Sequence, residues 1–146
     1  MSSFQGLAYA STVWCFLATA SHAATTEAAP HLGTDIVGKW QWVLPGSGCV
    51  ETVEFFTNGT RHVVSGKERS DSKYVVELTP NSRLRKLVVT TTKDYGGEDC
   101  GGSSEDDTGQ TWSRFFDLSP RKDQMILCAI ATGDDCIGPY RRLKER

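Results

Sequence analysis

The chain has 146 residues, enough for one domain with its own core. Its formal charge is -2, with 16 basic against 18 acidic side chains, which excludes a general attraction to nucleic acid or anionic membrane surfaces. Hydrophobic residues make up 38% of the chain, and the N-terminus holds a disproportionate share of them.

No charged side chain occurs between Phe4 and Ala24, and Leu7 to Ala20 (LAYASTVWCFLATA) is almost wholly small or apolar. That run is too short to span a bilayer, which needs about 20 apolar residues. It has the length of a signal-peptide core, and Ser21-His22-Ala23 supplies the small residues a signal peptidase reads. Residues 1-23 are therefore expected to be a signal peptide that directs export to the periplasm or beyond the cell. Residues 24-35 (ATTEAAPHLGTD) lack periodicity and contain a proline, and are expected to form a flexible N-terminal segment.

From residue 36 to 146 the chain is expected to form one all-β domain. Runs rich in β-branched and aromatic residues alternate with Gly, Asn, Asp and Ser clusters, and no window keeps a helical apolar period. The spacing predicts strands at 36-44, 49-57, 60-66, 73-79, 84-93, 111-118, 124-131 and 136-143. About eight short strands with tight turns point to a single antiparallel up-and-down β-barrel. The expected interior is Trp40, Val53, Phe55, Val64, Trp112 and Phe116.

The first clear hairpin surrounds Asn58-Gly59, where a two-residue type I′ turn pairs Phe55 with His62 and Val53 with Val64. Glu51 and His62 then fall on the inner wall, where they are candidate ligand-binding groups in a cavity. The plainer account, with His62 at the rim and Glu51 meeting solvent, is preferred. The last hairpin, CAIATGDDC, fits a three-residue loop Ala131-Thr132-Gly133 that sets Cys128 opposite Cys136.

Cys15 would leave with the signal peptide, so Cys49, Cys100, Cys128 and Cys136 remain as an even set. Zinc-knuckle spacing is missing, so disulfides are expected rather than a metal site. Opposed residues of a ladder lie within disulfide reach, which pairs Cys128 with Cys136 and leaves Cys49 for Cys100. The acidic stretch Asp94 to Gly109 reads as a solvated loop pinned by Cys100, because the ligand spacing of a calcium loop is lacking.

The inventory for catalysis is thin. After export only His31 and His62 remain, the cysteines are expected to be oxidised, and nucleophile-elbow and phosphate-loop sequences are missing. No enzymatic activity, catalytic residue, metal or cofactor is expected.

Gly38-x-Trp40 at the first strand, with Arg141 and Arg142 at the last, resembles the calycin superfamily of lipocalins, avidins and fatty-acid-binding proteins. That resemblance implies a barrel whose base is closed by Trp40, with Arg141 or Arg142 packed across the indole. Gly38, Trp40, Arg141 and Arg142 are thus expected to be structural. Gly38 to Phe55 is also similar to the start of small periplasmic metalloprotease inhibitors, which implies a tail inserted into a protease cleft. The expected function is a monomeric lipocalin-like binding or interaction module. Its partner would be a small apolar ligand or a protein, with neither nucleic acid nor a membrane span involved. The alternatives are a peptidase inhibitor acting through residues 24-35 and a small hydrolytic enzyme.

Overall fold

A computed structural model describes residues 33-144. A 3-10 turn at Thr34–Ile36 leads into eight strands: β1 (Gly38–Val43), β2 (Val50–Phe55), β3 (Thr60–Ser65), β4 (Glu68–Leu78), β5 (Arg85–Asp94), β6 (Thr111–Leu118), β7 (Gln124–Cys128) and β8 (Cys136–Arg142). Each strand pairs antiparallel with its successor, and β1 pairs with β8, so the sheet closes into an up-and-down barrel. Among the described residues no helix is long and apolar enough to cross a membrane.

Alternation along each strand sends every second side chain inward. Trp40, Val53, Phe55, Val63, Tyr74, Val76, Leu87, Val89, Phe116, Met125 and Tyr140 form one buried cluster, joined by Ile36 from the 3-10 turn. Beside it the Arg85 guanidinium donates to the Asp35 carboxylate at 2.6 Å.

Strand β4 starts at Glu68 rather than at 73. Its first residues, Glu-Arg-Ser-Asp-Ser, carry no apolar alternation, so the strand is dictated by pairing with β3 and with the end of β5. Ser70 and Ser72 accordingly take inward positions and are buried.

The β2–β3 hairpin corrects the expected register by one residue. Phe55 pairs with Arg61, Glu54 with His62 and Val53 with Val63. The loop holds three residues, Thr57-Asn58-Gly59, closed by the Phe56 amide donating to the Thr60 carbonyl at 2.9 Å. Only Gly59 takes positive φ (79°), so Asn58 does not enter the left-handed conformation that a type I′ turn requires. Instead the Asn58 carboxamide oxygen accepts from the Thr60 amide and hydroxyl. A one-residue slip exchanges the two faces of a strand. Val63 and Arg61 therefore face inward, while Val64 and His62 face outward.

The β7–β8 hairpin keeps the expected register. Cys128 lies opposite Cys136, and the two are bonded with Cα atoms 3.9 Å apart. The second disulfide joins Cys49 to Cys100, with Cα atoms 5.6 Å apart. It draws the acidic loop onto the β3–β4 turn, where the Cys100 amide donates to Ser65 Oγ and the Lys67 amide to the Glu98 carbonyl.

Candidate functional site

One end of the barrel is sealed. Trp40 is fully buried, and its indole N–H donates to the Ile36 carbonyl at 2.8 Å. Arg142, rather than Arg141, lies across this indole with Cζ 4.1 Å from the ring centroid. Its guanidinium also donates to the Val37, Asp35 and Lys122 carbonyls. Arg141 takes the outward position opposite Gln41. Gly38 makes this arrangement possible: it has φ 118°, and a Cβ there would stand 2.9 Å from an Arg142 nitrogen. These contacts tie Arg142 to the closed end of the barrel.

Away from this plug the interior turns polar. Trp42, Glu51, Arg61, Glu68 and Trp112 come from β1, β2, β3, β4 and β6 and are only partly buried. Trp42 packs on the Tyr140 ring at 5.4 Å. The Tyr140 hydroxyl donates to Glu51 at 2.6 Å. Burial drives the Tyr140 hydroxyl well above its ordinary pKa, reinforced by the charge and hydrogen bond of Glu51 and opposed by Arg61. Tyr140 is therefore a fixed neutral donor at neutral pH.

Arg61 is the unusual member. Its guanidinium lies 5.1 Å from the Trp112 ring centroid and 5.9 Å from that of Phe55. Its Nε is buried without a hydrogen-bond partner, and no ion pair among the described residues includes Arg61. Burial pushes its pKa down to about 10, against the opposing charges of Glu51, Tyr140 and Glu68. At neutral pH it remains a cation. Glu68 is held above the ordinary carboxylate range by burial, then by Asp94, Asp99, Asp107 and Glu51. An unpaired interior cation is costly to the fold, which makes Arg61 a functional candidate.

The wall beside this cluster is incomplete. The β6–β7 ladder covers only Phe115 to Leu118, because β7 ends at Cys128. Residues 111 to 114 of β6 pair with β5 alone, and there Trp112 is half-buried and Arg114 exposed.

His62 lies on the outer surface and does not join Glu51. Its Nδ1 is 2.7 Å from Asp71, whose other oxygen accepts from the Tyr95 hydroxyl at 2.8 Å. The hydrogen bonds from His62 and then Tyr95 hold the Asp71 carboxyl below its ordinary pKa. A groove at His62 and Asp71 is lined also by Phe56, Thr60, Arg61, Ser72, Lys73 and Thr92. Glu51, the other sequence candidate, faces inward, is partly exposed and accepts the Tyr140 hydroxyl. Among the described residues no group of three or more His, Cys, Asp or Glu could hold a metal ion. The expected signal peptide, His31 and most of the segment 24-35 lie outside the described residues.

Sequence reasoning missed Arg61 and Tyr140. A three-residue loop counted from Gly59 would have turned Arg61 inward. Tyr140 lies two positions before Arg142, so one alternation carries both into the interior. Fold and site together define a closed eight-stranded antiparallel barrel, compatible with a lipocalin-like fold, with a polar cluster inside. No protein-family model, curated protein or solved structure matches the chain.

Proposed function

We propose that this protein is an exported, lipocalin-like binding module that takes a small ligand into its barrel and catalyses no reaction. The observation that carries the reading is Arg61: an inward guanidinium, unpaired, between Trp112 and Phe55 and beside a gap in the wall. Small-ligand sites pair apolar and aromatic walls with a few placed polar groups, and an eight-stranded barrel is wide enough to hold one such ligand. Two disulfides fit an oxidising compartment, in keeping with export to the periplasm or outside the cell. The Gly38-Trp40-Arg142 plug supports the calycin comparison. Glu51 and His62 occupy opposite faces of the sheet, Glu51 bonded to Tyr140 and His62 to Asp71.

Native mass spectrometry of the full chain expressed with its N-terminal segment and recovered from a bacterial periplasm tests this reading. The expected result is a mass lowered by two disulfides and carrying a bound small molecule that Arg61→Met releases. Four free thiols would overturn the export reading. A bare polypeptide mass, with no added probe bound, would overturn the carrier reading.

A further inference from the structure

Resting on the reading of the interior as a binding site, we propose that its ligand is a small zwitterion of the amino-acid type. Its carboxylate would meet Arg61, its ammonium group Glu51, and its apolar side chain the rings of Trp42 and Trp112. Arg61 and Glu51 are opposite charges facing one interior, yet they form no ion pair with each other. Each is held by something else. Glu51 is tied through one oxygen to the Tyr140 hydroxyl, and Arg61 is stacked beside Trp112. The Arg61 Nε has no acceptor, and Glu51, through Oε1, accepts from the Tyr140 hydroxyl while remaining partly exposed.

The surrounding charge decides between ligand classes. A simple anion drawn to Arg61 would also feel the charges of Glu51 and Glu68. A simple cation drawn to Glu51 would face Arg61. A molecule carrying both charges completes both groups, because each loses water only to gain a charge-assisted hydrogen bond. The half-buried Trp42 and Trp112 offer flat apolar surface next to those charges.

Isothermal titration calorimetry of the two-disulfide protein, stripped of any co-purified molecule, tests the proposal with four probes. These are L-phenylalanine, L-leucine, N-acetyl-L-phenylalanine (anion only) and L-phenylalaninamide (cation only). The free amino acids should bind, and each blocked form should bind about 10- to 100-fold more weakly, as the loss of one charged hydrogen bond implies. Arg61→Met should erase the preference for the free acid over the amide while keeping the preference for the free amine. Glu51→Gln should do the reverse, and circular dichroism should show both variants folded. A merely structural role would not separate the two preferences in this way.

Equal binding of free and blocked forms would overturn the zwitterion. So would failure of the free amino acids to bind when a neutral apolar molecule occupies the barrel, with the carrier reading left standing. No occupant and no binding of any probe would sink both.

Discussion

Trp40 touches the floor of the core, the 3-10 turn and Arg142 together. Replacing it with Ala should cost about 3–5 kcal/mol of stability, the range for a fully buried large aromatic side chain, read from denaturant unfolding. Arg61 should behave in the opposite sense. Removing a partly buried charge that has no ion-pair partner relieves its desolvation, so Arg61→Met should leave the unfolding midpoint unchanged or raise it. A clear loss of stability there would mean that Arg61 is held by contacts of structural value. The two residues also show what was legible. Trp40 stood out in sequence because a glycine two residues earlier marks it at the first strand and an arginine pair ends the last. Arg61 did not, because its side depends on whether the turn before it holds two residues or three. That choice is made by the Asn58 side chain folding back on Thr60.

Strands were legible where apolar alternation meets a turn signal, as in β2, β5, β6 and the Cys128–Cys136 hairpin. The start of β4 was not, since its polar residues become strand only through hydrogen bonds to β3 and β5. A contact between elements distant in sequence leaves no local mark. The disulfides differ in the same way. Cys49–Cys100 closes a separation of 51 residues and Cys128–Cys136 one of only 8. On the chain-entropy model, losing the first should cost about 4 kcal/mol and losing the second about 2.5 kcal/mol. Urea unfolding of the two double Cys→Ser variants checks the order. Equal costs would mean that strain or residual structure, rather than loop closure, dominates.

Across the whole molecule, acid should act through carboxylates held below their ordinary pKa. Burial raises the Asp35 value, but the Arg85 hydrogen bond and charge outweigh it and leave it lowered. A carboxylate with a depressed folded pKa adds stability above its unfolded value of 3.8, and that stability is lost as pH falls through the folded value. Asp71 acts in the same direction, and Glu68, whose value is raised, opposes them. The thermal unfolding midpoint should therefore fall below about pH 4, and Asp35→Asn should flatten that part of the curve. An unchanged slope in Asp35→Asn would remove Asp35 from the account.

The seam between β1 and β8 consists of two paired positions, the Leu143 amide on the Lys39 carbonyl, and Arg142 over Trp40. Every other ladder joins strands that are neighbours in sequence, so a growing chain can form six of the eight before its last strand arrives. Until then the ring is an open ribbon with two bare edges and an uncovered indole, the form most exposed to proteases and to pairing with other chains. Arg142 therefore acts as a clasp in time as well as in space. A chain stopped short of β8 cannot close, and degradation of such fragments would follow from geometry alone.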